Sequence, residues 1–134
     1  LGIIAGYESM NRIGLAMGER VPFGRGTIAA DEPEAVIAHI KNIIDKEPVT
    51  AFVIGVPEVK SGDVTSSYAQ VLGWQNLLRD NFDLPIYTVN EAYSSLEAER
   101  QLRQEGVDTA KEKWRVDERA AQLLLEQFLA ERRQ

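Results

Sequence analysis

The chain contains no cysteine. Disulfides, thiolate zinc sites and cysteine nucleophiles are thereby excluded together, which agrees with a reducing compartment. There is a single histidine, His39, so a bound metal would be held by oxygen ligands or by that imidazole. No apolar run approaches the ~20 residues that cross a bilayer, and Leu1 to Ala5 is too short for the core of a signal peptide. A cytosolic location without membrane association is expected. Positive charge is in deficit: 15 Lys and Arg stand against 21 Asp and Glu, a net charge of -6. That balance argues against the broad basic surface of a non-specific nucleic-acid binder, although a local basic strip can act while the far face is acidic. With 44% apolar and 27% charged residues in 134 positions, the composition is that of one folded domain, 1–134, with one core.

Three extended segments open the chain, Leu1 to about Tyr7, Arg12 to Met17 and Phe23 to Ala29, with turn residues Gly18, Pro22 and Gly24 among them. They predict an antiparallel meander. Asp31, ahead of Pro33 and Glu34, predicts a capped helix start, and Val36, Ile37, Ile40, Ile43 and Ile44 form the stripe of a helix ending near Lys46. Thr50 to Gly55 is a short apolar, β-branched run, read as a central strand buried on both faces. The polar loop Val56 to Ser66 follows, where an α/β fold usually keeps its site. A second helix starts at Ser66 or Ser67 with the stripe Tyr68, Val71, Leu72, Gln75, Leu78 and Phe82. Leu84 to Val89 reads as a strand, and Ser94 with Glu97 as a capping box for a third helix that ends at Gly106. No linker or repeat divides the chain. The order β-β-β-α-β-α-β-α-α describes an α/β fold: a mixed five-stranded sheet with helices on both faces, the ribonuclease-H-like arrangement.

In the last helix Val116, Ala120, Leu124 and Phe128, with Ala121, Leu125 and Leu129, recur at helical spacing, which sets Asp117 on the flank of the buried face. A carboxylate so placed suits a metal site; it is equally the acid that a helix dipole favours in a first turn. A second acid, Glu91, follows the strand ending at Val89, and it too has a plainer reading as a residue tied to the next helix N-terminus. Lys111, Lys113, Arg115 and Arg119 cluster before and inside the last helix, with Arg12, Arg20 and Arg25 as a looser set. These groups are a nucleic-acid surface or a solvated face of ordinary charge balance. Arg12, Lys60, Lys111, Lys113 and Arg115 are the candidates for nucleic-acid contact. Trp74 and Trp114 read as packing residues, and Trp114, between Lys113 and Arg115, is also placed to stack on a base. His39 reads as a surface or half-buried residue.

Four pieces carry a family resemblance: Arg12-Ile13-Gly14-Leu15-Ala16, Phe52-Val53-Ile54-Gly55-Val56-Pro57, Val89-Asn90-Glu91 with Glu97-Ala98, and Val116-Asp117 with Ala120-Ala121-Gln122-Leu123. In this order and at these separations the chain, from Leu1 to about Leu129, resembles the YqgF/RuvX family of small ribonuclease-H-like nucleases, distant relatives of the Holliday-junction resolvase RuvC. The resemblance implies metal-dependent cleavage of phosphodiesters in structured RNA or branched DNA, with roles in trimming the precursor of small-subunit ribosomal RNA and in resolving junctions. It implies Mg2+ or Mn2+ held by a first-strand aspartate, a glutamate after a later strand and an aspartate on the last helix. Glu91 and Asp117 fit the last two places. The first falls on Tyr7 under a gapless alignment, or on Ile4 with a two-residue insertion, and neither replaces a carboxylate. Glu8 reaches the site only if the strand ends or bulges before it. Asn90 and Ala92 stand where relatives usually carry an aspartate and an arginine. Two readings follow: a nuclease completed by Glu8 or another acid, or a catalytically inactive module that binds, pairs with itself, or serves a protein partner.

Overall fold

The computed structural model describes the backbone of residues 2–9, 12–18, 22–29, 31–56, 66–90 and 94–132, and their side chains except at 2–9, 12, 66–68, 70 and 94. Strands β1 (Gly2–Ser9), β2 (Arg12–Gly18) and β3 (Phe23–Ala29) precede α1 (Pro33–Lys46), β4 (Val49–Val56), α2 (Ser66–Asn81), β5 (Ile86–Asn90), α3 (Ser94–Gln104) and α4 (Lys113–Arg132). This is the predicted order of elements. The five strands form one sheet in the order β3-β2-β1-β4-β5. The first three pair antiparallel, while β4 runs parallel to both β1 and β5. The Thr50 to Gly55 segment is therefore interior and buried from Ala51 to Gly55, but the middle of the sheet belongs to β1.

Alternation along the strands divides the core in two. Ile13, Leu15, Met17, Phe52 and Ile54 point to one layer, where Val36, Ile37, Ile40 and Ile43 of α1 and Val71 and Leu78 of α2 cover them. Ala16, Ala51, Val53 and Val89 point to the other, under Ala98 of α3 and Ala120, Ala121, Leu124, Leu125, Phe128 and Leu129 of α4. Helices on both faces follow directly from this period of two.

Several local expectations are corrected. The N-cap of α1 is Glu32, not Asp31, and no side chain caps it. Pro33 occupies the first turn and holds the residue before it extended, so the Glu32 carbonyl, not an Asp31 carboxylate, accepts from Ala35 and Val36. In α2 the buried line runs through Val71, Trp74 and Leu78, at i, i+3 and i+7, which leaves Leu72 exposed. Ser94 is already the first helical residue of α3, and Glu97 accepts from Arg100 and Gln101 further along the helix. The end at Gly106 is as read: with φ of +88° it lets Gly106 N–H reach the Arg103 carbonyl and Val107 N–H the Leu102 carbonyl, a Schellman closure. Among the described residues no helix is long and apolar enough to cross a membrane.

Candidate active site

The β1–β2 register decides where the first-strand position lies. It runs unbroken from Ile3 opposite Gly18 to Ser9 opposite Arg12. Residues directly opposite in an antiparallel pair share a face. Ala5 is opposite Ala16, of the α4 layer, and Gly6 is opposite Leu15, of the α1/α2 layer. Position 7 is opposite Gly14, whereas positions 4 and 8 are opposite Met17 and Ile13, both of the α1/α2 layer. Position 7 is thus in register with a strand residue that lies under α4. The β1–β2 pairing continues unbroken through Glu8, and the irregularity of β1 against β4 lies back at Gly2 and Ile3; the Glu8 side chain is outside the described residues.

Asp117 arrives at the same place from above. A Cβ built on Gly14 would lie 2.1 Å from the Asp117 carbonyl oxygen and 2.7 Å from the Glu118 nitrogen, so the α4 backbone rests directly on β2 at the residue facing position 7. Only glycine permits that approach. Asp117 itself is 3% exposed, deeper than the flank its spacing suggests, while Val116 is half-buried. The next residue locks the contact. Glu118 accepts from the Gly26 N–H at 2.5 Å, and its side chain occupies the space a Cβ on Gly24 would need. Pairings of Gly14 with Thr27 and Ala16 with Gly24 give β3 one extra residue there, a bulge in which Gly26 takes φ of +85°. Glu118 satisfies the amide that the bulge leaves unpaired. Sequence reasoning passes over Glu118; the signal that leads to it is the Gly24-Arg25-Gly26 pattern two strands away from β1.

The parallel strands end side by side with this seat, since Val56 pairs with Asn90 and Gly55 with Val89. Glu91 follows Asn90 by one residue and lies outside the described residues, as do Ala92, Lys60, Arg20 and most of the Val56 to Ser66 loop. The side chains of Tyr7 and Arg12 are likewise undescribed; their strand positions stand at the carboxyl end of β1 and the start of β2. Among the described residues no three His, Asp or Glu side chains group as a metal site. By residue type, a tyrosine at position 7 fits a pair of divalent ions poorly, because a phenol with a pKa near ~10 stays neutral at physiological pH.

The basic strip divides on inspection. Arg119 makes a two-pronged pair with Glu105, at 2.6 and 2.9 Å, and also donates to Gln101, so it joins α4 to α3. The hydrogen bond from Arg119 holds the Glu105 carboxyl below the usual range, and the same bond raises Arg119. Arg115 stands 3.8 Å from Glu112 and over the Trp114 ring. Arg25 stands 3.7 Å from Glu47. Lys111 and Lys113 are exposed. Trp74 packs as expected in the α1/α2 layer, but Trp114 is 42% exposed and is not a core residue. His39 is exposed.

The mixed sheet, with β1 central and its antiparallel neighbours on one side and parallel neighbours on the other, flanked by two helices per face, defines a ribonuclease-H-like protein. The fold is similar to that of Thermus thermophilus RuvC in complex with a Holliday junction substrate, with a TM-score of 0.60 at 12% identity over 99% of this chain and 96% of that one. A second structure of Thermus thermophilus RuvC gives 0.54 at 13% identity, covering 98% and 96%. The RuvX family model, described as Holliday junction resolvase, matches residues 9–131, and the chain belongs to this family. A relative from Nitratidesulfovibrio vulgaris (strain DP4), assigned as a pre-16S rRNA nuclease, is 36% identical over 97% of this chain and 92% of its own length. Another with the same assignment, from Synechococcus sp. (strain JA-2-3B'a(2-13)), is 34% identical over 91% of this chain and 74% of its own.

Proposed function

We propose that the chain is a nucleic-acid-processing protein of the YqgF/RuvX type, a metal-dependent phosphodiester nuclease acting on ribosomal-RNA precursor or branched DNA, whose chemistry is weakened by the tyrosine at position 7. Family membership and the assignments of its relatives support the activity and substrate class. The observation that carries the weakening is the register: position 7 faces Gly14 directly beneath Asp117, so a first-strand acid would complete the site there. Glu91 and Asp117 would hold a single Mg2+ or Mn2+. Such an ion supplies Lewis-acid polarisation of the phosphate and neutralises developing charge. Two ions held close together need several anionic ligands to offset their repulsion, and the phenol contributes none.

The test compares the chain with Tyr7→Asp and Asp117→Asn on a ribosomal-RNA precursor fragment and a four-way DNA junction in Mn2+. The expected order is slow cleavage by the chain, at least about tenfold faster cleavage by Tyr7→Asp, the low end of what a disturbed metal ligand set is worth, and none by Asp117→Asn. Equal rates for the chain and Tyr7→Asp would remove the weakening from the proposal. If neither cleaves while both bind, the second reading, a binding or scaffold module on the same fold, replaces it; the Tyr7 substitution is the observation that favours that reading.

A further inference from the structure

We propose that Trp114 is a stacking platform for an unpaired nucleobase beside Asp117, which makes the preferred ligand a nucleic acid with unstacked nucleotides rather than uninterrupted duplex. This rests on the nucleic-acid reading above. The indole is 42% exposed, although tryptophan stabilises a fold mainly by burying its rings, and among the described residues no other aromatic ring packs on it. The Arg115 guanidinium lies 5.5 Å from the ring centroid, a cation–π contact that keeps a flat surface in place. Around it, positions 111 to 115 carry Lys111, Lys113 and Arg115 against Glu112 alone, three cations to one acid in a chain whose net charge is -6. The Glu112 pair at 3.8 Å is exposed, so it offsets that charge only weakly. Nor do these cations serve the helix. The first turn of α4 holds no acid, the reverse of what its dipole favours.

Position completes the case. The Phe128 ring, near the far end of α4, lies 5.1 Å from Tyr87 at the start of β5, so α4 runs against the parallel strands and its first turn stands at their carboxyl ends. Trp114 precedes Asp117 by three residues, about one helical turn. Base-on-indole stacking tolerates any sequence, and flanking cations track the backbone phosphates.

The test measures binding of labelled oligothymidylate, oligouridylate and a blunt hairpin duplex by fluorescence anisotropy in EDTA, with Trp114→Ala, Trp114→Phe and the pair Lys111→Gln/Lys113→Gln, each checked for a native circular-dichroism spectrum. Trp114→Ala should weaken both single strands about tenfold and leave the duplex unchanged, Trp114→Phe should recover most of the loss, and the lysine pair should weaken all three ligands alike. Unchanged single-strand binding in Trp114→Ala, an equal loss on duplex, or no binding by the unsubstituted chain would overturn the proposal. Should cleavage depend on Mn2+ while Trp114→Ala binds normally, only the stacking role fails; should the Trp114 pattern hold without any cleavage, only the nuclease reading fails.

Discussion

The two faces of the sheet are packed by opposite means. Toward α1 and α2 the strands present Ile13, Leu15, Met17, Phe52 and Ile54, and bulky side chains fill the gap between sheet and helices. That layer keeps an apolar cavity of about 50 Å3 lined by Val36, Val71 and Trp74 among others. Toward α4 the corresponding positions are Gly14, Ala16, Ala51 and Val53, met by Ala120 and Ala121, and the helix backbone comes down onto the sheet itself. A layer spaced by flexible side chains can adjust when one of them changes. A backbone resting on a backbone cannot, and that contact fixes where Asp117 stands relative to position 7.

Truncating the bulky face should cost the most stability. Phe52 is 2% exposed and meets Phe82 edge-on at 5.3 Å, so Phe52→Ala should lower the unfolding free energy by about 3–5 kcal/mol in urea titration. The folded fraction should bind nucleic acid as before. A matching loss of binding would mean that the two layers are mechanically coupled and that the contrast between them is false.

Gly14→Ala is the converse experiment. Its methyl would sit 2.1 Å from the Asp117 carbonyl oxygen, which belongs to the helix backbone and cannot swing aside, so α4 must lift at that point. Overpacking of this kind costs about 1–3 kcal/mol, less than Phe52→Ala. Its effect on the site should be larger, with Mn2+ binding lost in calorimetry. Gly24→Ala sharpens the point, since the atoms nearest its methyl belong to the Glu118 side chain, which can rotate at the expense of its bond to Gly26. If Gly24→Ala proved as damaging to Mn2+ binding as Gly14→Ala, the seat would be held by the Glu118 latch and not by the backbone contact.

The sequence discloses these two layers unequally. Periods of 3.6 and 2 mark the apolar stripe of α4, the run in β4 and the meander, because burial repeats along a chain in ways a single element reveals. Family motifs point to Asp117 and to Tyr7 as the vacant acid position. What they do not reveal depends on pairing between elements. Which strand residues lie opposite positions 7 and 4 is a question of register, and only the pairing shows them to be Gly14 and Met17. The role of Gly14 shows only once the helix above it is seen, and that of Glu118 only once β3 bulges toward it. The exposed Leu72 and Trp114 are misread for a related reason: an apolar residue is assigned to the core by its type, and its angle about the helix is known only once a neighbour fixes the buried line. Glu91, which the family motif supplies, lies outside the described residues.

The smallest expected effect tests whether surface charge contributes to the α3/α4 layer at all. Glu97 on α3 has its carboxyl pKa lowered from 4.5 to about 2, first by the hydrogen bond from Arg100, then by that from Gln101. A carboxyl lowered on folding stabilises the native state above its unfolded pKa, and the contribution fades as pH falls from about 4.5 through about 2. The side chain is 42% exposed, so solvent and salt screen the pair and the contribution is slight. Thermal unfolding of the chain and of Glu97→Gln should therefore differ a little at neutral pH, less in high salt, and converge in acid below about 2. A side-chain carbon titration of Glu97 by nuclear magnetic resonance checks the cause directly. A midpoint at 4.5 would deny the Arg100 pairing in solution, while a large, salt-resistant gap between the two proteins would show that surface charge shares the work here assigned to the close seat of α4 on β2.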